Sequence, residues 1–403
     1  MTRSRNAFID DLRADGHIIL ADALKRTHMR TPKEYSEDFW QYRPKRPLDA
    51  LLKDAIADEA ARCGYDDVAI ESIMRTCATY RTIQTSAHTE IASPSRRFCI
   101  DWMSTRGIPD DAVYIVCAFS GVPFSNKSRP GRITYDDAAY NLIPKTYQDA
   151  LAYHMPIVTK MIDVYETLPT AIQSYIPHPR NYTSFTSWAS ATSSTLSTHI
   201  LEHPTYALDI NAIATQYLIR ALDDPQHILT RMLTESAITQ KILDVFGDTT
   251  HFFYSPYEMG KYTRQENIYY LDGYGFTGDK QIYPSDRIVL QKALAQKKLC
   301  PGTLLVFTIF SFVNEFQCLG SFVQVEYLTR FKKMWQTLNL LPESIDHIPT
   351  DTLTTGMFPD APHVNMLDVL TGITQINDDP TLVLLDYYEP IWNNKEYYTN
   401  KQT

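Results

Sequence analysis

Residues 304–313, LLVFTIFSFV, form a ten-residue run that is apolar except for Thr308 and Ser311. A surface helix would show a polar stripe, and a membrane helix needs about 20 apolar residues. The run therefore reads as a strand buried on both faces of a sheet. It stops at Asn314, Glu315 and Gln317, which open a short polar loop closing at Gly320. Ser321 to Gln324 then has the S-x-x-Q form of a capping box. Val325, Leu328, Phe331, Trp335 and Leu338 follow at helical spacing, with Arg330, Lys332 and Lys333 off that stripe. The unit is strand, polar loop, capped helix. In open α/β sheets ligands sit at the carboxyl ends of strands, beside helix N-termini that attract anions. Glu315, Gly320, Ser321, Gln324 and Glu326 are accordingly candidate substrate-binding residues.

A second unit of the same kind precedes it. Tyr80 to Thr85 has the β-branched alternation of a strand, Ser86 to Ala92 is a loop carrying His88 and Glu90, and Ser93-Pro94 reads as N-cap and N1 of a helix ending at Gly107. His88 and Glu90 are the candidate catalytic acid/base pair, since a histidine titrates near neutrality and the helix end supplies anion affinity. The plainer alternative is a histidine satisfied by backbone and a solvated glutamate. Ala112 to Phe119, AVYIVCAF, is another buried strand, and its exit SGVPFSNKSRPGR is a loop punctuated by Gly and Pro. Lys127, Arg129 and Arg132 on that loop could clamp a phosphate or carboxylate, and Asn126 and Arg129 join the binding candidates.

The remainder sets the domain organisation. Residues 1–79 read as a helical segment packed on the core, with one helix over 5–27, an aromatic arm over Tyr35–Pro47, and helices over Leu48–Arg62 and Asp67–Cys77. Residues 80–139 form the first part of an α/β core, 140–250 a helical insertion, and 251–403 the second part and tail. Within the insertion, residues 183–198 hold 11 Ser or Thr in 16 positions. The embedded Phe185, Trp188 and Leu196 argue for an ordered polar wall and against a linker. Strands resume at His251–Tyr254, Tyr269–Asp286 has the Gly, Tyr and Asp content of a hairpin or site-covering loop, and Leu382–Leu385 is a last strand candidate. Tyr254, Tyr257, Tyr262, Tyr269, Tyr270 and Tyr274 could line a pocket, though tyrosines more often pack. The fold class expected is α/β with a mostly parallel sheet.

Composition excludes several functions. Apolar residues make up 44% and charged residues 21%, so the chain is globular and not disordered. The net charge of −9 is spread along the chain, which argues against a nucleic-acid partner. No membrane span and no secretory leader are expected. Six cysteines at long spacings without a CxxC read as reduced core residues of a cytoplasmic protein.

Two segments carry a family resemblance. Residues 83–105, IQTSAHTEIASPSRRFCIDWMST, resemble the early strand-turn-helix of the cysteine-adding enzymes of bacillithiol biosynthesis, where Thr-Gly-Gln precedes a Gly-Pro and a helix. Residues 284–342 are similar to that family's later run, in which an apolar strand leads through Gly residues and a Glu to an amphipathic helix. Together they cover about a fifth of the chain. Ser86-Ala87-His88 stands where the family has Thr-Gly-Gln, Ser321 where it has Pro-Gly, and the loop after AVYIVCAF lacks an Asp-His-Asp signature. The family's C-terminal coiled coil is not expected here. The resemblance implies a Rossmann-like core with added helices and a condensation joining an amino-acid-like amine or carboxylate to a second small molecule. A nucleotide is a compatible cofactor. On that basis His88 would be the acid/base, Glu90 and Glu326 would bind an amine, and Gln324 with the N–H groups after Gly320 would hold an anion, helped by Arg129.

His199-Ile200-Leu201-Glu202-His203 matches H-x-x-E-H, in which two histidines one turn apart hold zinc and the glutamate acts as base. Pro204 follows directly and should end the helix, and no third ligand is evident, so no metal set is assigned. The expected function is a small-metabolite biosynthetic enzyme. A zinc hydrolase built on His199, Glu202 and His203, and a non-catalytic binding or scaffold protein, are the alternatives. Substrate and oligomeric state stay open.

Overall fold

The computed structural model describes residues 7–393 except 94, 127, 248–249, 342–343 and 378. The expectations for Pro94, Lys127 and the tail beyond 393 lie outside the described residues.

A four-stranded parallel sheet runs in the order Gln317–Leu319, Thr82–Gln84, Tyr114–Ala118, Thr205–Asp209. Thr82 to Gln84 pair with Gln317 to Leu319, and Tyr114 to Ala118 pair with Thr205 to Asp209. The chain steps outward from the Thr82–Gln84 strand through the next two, then returns to that strand's other side, so the order reverses there. Successive side chains of a strand alternate faces. Ile83, Ile115, Cys117, Leu208 and Cys318 pack on one face with the helices Ala50–Arg62, Asp67–Thr79 and Ile210–Ala221. Tyr114, Val116, Ala118, Ala207 and Leu319 pack on the other with the helices Ser95–Thr105 and Phe185–Leu201. The sheet is thus covered on both sides, as its apolar strands require.

The Leu304–Val313 run is not a strand. Thr303–Phe307 is α-helical and Thr308–Val313 continues as a π-helix, and the run is almost wholly buried. The Thr308 hydroxyl donates to the Leu304 carbonyl at 2.7 Å, a contact one helical turn back. A short apolar run has no polar face, so period alone does not separate a buried helix from a buried strand. The strand itself is Gln317–Leu319, and Asn314 and Glu315 consequently precede it.

A second, five-stranded antiparallel sheet is ordered Cys300–Pro301, His251–Met259, Tyr262–Leu271, Gly275–Thr277, Ile282–Tyr283. Its long hairpin turns at Gly260, whose φ of 61° suits a tight hairpin connection. The architecture is therefore mixed α/β and not mostly parallel. The 140–250 segment is largely helical but supplies the edge strand Thr205–Asp209. The single helix expected over 5–27 is, from Ala7 on, two helices, Ala7–Ala14 and Ile18–Thr27, separated near Gly16. The arm after Thr31 opens as the helix Pro32–Phe39, closed by a Thr31–Glu34 capping box. Leu382–Leu385 is no strand either, since a helix spans Leu384–Asn393. Among the described residues no helix is long and apolar enough to cross a membrane.

Candidate functional site

The Thr82–Gln84 strand does not end cleanly at its carboxyl side. The Thr85 N–H donates to the Leu319 carbonyl, the Phe119 N–H to the Ala87 carbonyl, and the Thr89 N–H to the Phe119 carbonyl. Residues 85–89 are thereby held along the edge from which ligands enter parallel sheets, beside the point where strand order reverses. The chain then turns toward the amino end of the helix Ser95–Thr105. Facing this loop is the helix Phe185–Leu201, capped by the Ser184 hydroxyl on the Ser187 N–H. Trp188 is buried in it, and its indole donates to the Pro177 carbonyl at 2.8 Å. The Ser/Thr-rich stretch is therefore an ordered wall, and it presents Ala189, Ser190 and Ser193 to a narrow cleft. Val116, Ala118 and Ala207 line the same cleft from the sheet, and Ala87, His88, Thr89, Glu90, Ser93 and Arg97 complete it.

His88 and Glu90 are thus brought together. Burial pushes the Glu90 carboxyl up to about 8, with nearby Arg97 opposing the shift and Asp101 adding to it. No hydrogen bond to that carboxyl is found among the described residues. Burial, and then the Arg97 charge, push His88 down to about 4. At neutral pH the cleft holds a protonated acid beside a neutral imidazole. His88 Nδ1 lies 2.8 Å from Ser128 Oγ, and the Ser128 hydroxyl donates to Asn126 Oδ1 at 3.1 Å. A hydroxyl has one proton, so this chain makes His88 Nδ1 the donor and leaves the lone pair on Nε2. Asn126 acts through His88.

Arg97 is 6% exposed and sits 2.7 Å from Asp101, though the contact is not aligned as a hydrogen bond from Nη2. Tyr114 donates to Asp101 at 2.8 Å, and burial raises Asp101 to about 6, against the pull of Arg97. Arg97, Asp101 and the wall serines were not legible as site residues. The i, i+4 spacing of Arg97 and Asp101 early in a helix is the signal that marks them.

The second polar loop is arranged differently from its sequence reading. Gln324 does reach the carboxyl ends of the strands, where its amide donates to Thr85 Oγ1 at 2.6 Å. It does not pair with Ser321, which sits at the N-cap position without a side-chain cap bond. The Gly320 N–H is taken by the Thr352 carbonyl, and a Cβ on Gly320 would come within 2.8 Å of the Gln324 side chain. This junction is therefore filled by Gln324. Glu326 turns away to His17, at 3.0 Å. Glu315 lies at the amino end of its strand, the far edge from His88. There it is 1% exposed and accepts from the Lys45 N–H, the Arg46 N–H and Arg46 Nε, fastening the N-terminal arm. Arg129 is exposed and does not line the cleft.

The H-x-x-E-H stretch is broken where Pro204 implied. The helix ends at Leu201, Glu202 takes a left-handed φ of 52°, and His203 Nε2 reaches the Ala112 carbonyl at 3.1 Å. His199 instead bonds the Thr195 carbonyl. Among the described residues no group of three or more His, Cys, Asp or Glu is placed to hold a metal.

Asp209 and Glu59 form a neighbouring buried cluster with structural partners. Asp209 caps the helix Ile210–Ala221 and accepts from the Ser120 hydroxyl, while Glu59 pairs with Arg62 at 2.6 Å. A wider hollow of about 860 Å³ lies on the antiparallel sheet, lined in part by Tyr257, Tyr269, Tyr270 and Lys280. None of the candidate residues named from the sequence as catalytic or substrate-binding lines it. Comparison of the chain with protein-family models, curated proteins and solved structures gives no match.

Proposed function

We propose that the chain is a biosynthetic enzyme acting on a small polar metabolite by acid–base chemistry in the His88–Glu90 cleft. One observation carries the reading: an acid held protonated and an imidazole held neutral line one cleft at the carboxyl end of a parallel sheet. Environments that push two titratable groups apart in this way assign the acid and the base. Glu90 is the proton donor and His88 Nε2 the acceptor. The order reversal beside the Thr82–Gln84 strand supports a Rossmann-like reading of the core.

The reaction class follows the family resemblance, a condensation that forms an amine or amide. The N–C bond forms as the amine proton passes to His88 Nε2. The bond to the leaving oxygen breaks as that oxygen takes the proton of Glu90. The six buried thiols, all free, are in keeping with a reducing, cytoplasmic setting.

The test is turnover in a pooled small-metabolite extract followed by mass spectrometry, with wild type beside His88→Gln and Glu90→Gln. Circular dichroism confirms that each variant is folded. A conversion that needs wild type and is lost in both variants is expected. A conversion that survives in both removes the assignment.

A further inference from the structure

We infer that the cleft takes the carboxylate end of a small hydroxy or amino acid, held against Thr89, Ser190 and Arg97 at the amino end of the Ser95–Thr105 helix. This rests on the reading of the cleft as the active site and names the substrate class.

The argument begins with unmet hydrogen-bonding capacity. Buried hydroxyls nearly always find partners, and each exception calls for an explanation. Thr89 is 2% exposed, lines the cleft, and its Oγ1 has no hydrogen-bond partner among the described residues. Ser190, also 2% exposed and in the wall, has only the weak Cys63 thiol beside its hydroxyl. The two come from different elements, the strand-end loop and the facing helix, so one ligand between them satisfies both.

Charge then selects the ligand. Among the described residues lining the cleft Arg97 is the one permanent cation, and the positive end of an eleven-residue helix adds to it. Asp101 offsets the Arg97 charge, its Oδ1 lying against Arg97 and accepting from Tyr114. Glu90 stays protonated here and His88 neutral, so the empty cleft is close to neutral and rich in donors. An ammonium ion would face Arg97 and force Glu90 to ionise. A carboxylate instead accepts from the two hydroxyls and from Arg97. A phosphate dianion asks for more positive charge than one offset arginine supplies.

The test uses the full chain at pH 7 with three two-carbon probes of similar size: glycolate, glycolamide and ethanolamine. Thermal shift and titration calorimetry read binding. Glycolate is expected to raise the melting temperature in a dose-dependent way, with no comparable shift from the other two. Thr89→Val removes the unpartnered hydroxyl at nearly constant shape. It should weaken glycolate about tenfold or more, the size of a hydrogen bond to a charged group, while the ligand-free melting temperature stays level or rises. Ser190→Ala serves as the second variant with the same expectation. Equal shifts from glycolate and glycolamide, a shift from ethanolamine alone, no shift from any probe, or unchanged glycolate binding in both variants overturns the carboxylate assignment. Those outcomes leave the acid–base reading to its own turnover test, which does not depend on the probes.

Discussion

Replacing Glu90 with Gln should change how stability depends on pH. The carboxyl has an ordinary value of 4.5 and is pushed up to about 8 by burial. Below pH 4.5 both the folded and the unfolded chain hold the proton, and the group contributes no slope. Between 4.5 and 8 the folded chain keeps a proton that the unfolded chain has released. Stability then falls with rising pH by about 1.4 kcal/mol per pH unit from this group alone. Gln is nearly isosteric and does not titrate, so it removes that slope. From pH 6 to pH 8 the variant should gain about 2–3 kcal/mol relative to wild type. Urea unfolding followed by circular dichroism at several pH values, with a common m, gives the difference directly. Parallel curves for the two proteins would mean that Glu90 is ionised in the folded chain, and the acid assigned to the cleft would be lost.

His88→Gln should act on the acid side. A histidine pushed down to about 4 makes the unfolded chain bind more protons below 6.5, so wild-type stability drops relative to the variant between pH 6.5 and 4, by about 3 kcal/mol in full. The same urea series reads it. Glu315→Ala should cost about 3–5 kcal/mol, because it strands Arg46 and two backbone N–H groups at a buried ion pair, and glycolate binding by the remaining folded protein should not change. His199→Ala should stay within about 0.5 kcal/mol of wild type and leave metal content, measured by plasma emission, unaltered.

Particular residues show where the sequence was legible. Ile83, Ile115, Cys117 and Leu208 face one side of the sheet while Val116 and Ala207 face the other, and strands of this kind announce themselves by apolar, β-branched runs with turn residues on either side. The same criterion misread Leu304–Val313, because full burial erases the polar face that reveals a helix. That error moved Glu315 to the wrong end of its strand. The true strand, Gln317–Leu319, is three residues long, and its Gln317 amide is satisfied by Thr352 from a distant segment, which no local pattern records. His88 and Glu90 were legible because a polar loop joined a strand to a helix. Thr89, Ser190 and Arg97 were not, since a hydroxyl that lacks a partner, or an arginine offset by Asp101, is defined only once separate elements meet.

The location of the site is open to direct measurement in crystals of the full chain grown with the metabolite that the turnover experiment identifies. The expected result is density for that molecule between the 85–90 loop and the Phe185–Leu201 helix, with its carboxylate on Thr89 and Ser190 and its reacting group within reach of His88 Nε2. Density confined to the Tyr257–Tyr269 hollow of the antiparallel sheet, with the His88–Glu90 cleft unchanged, would contradict the account.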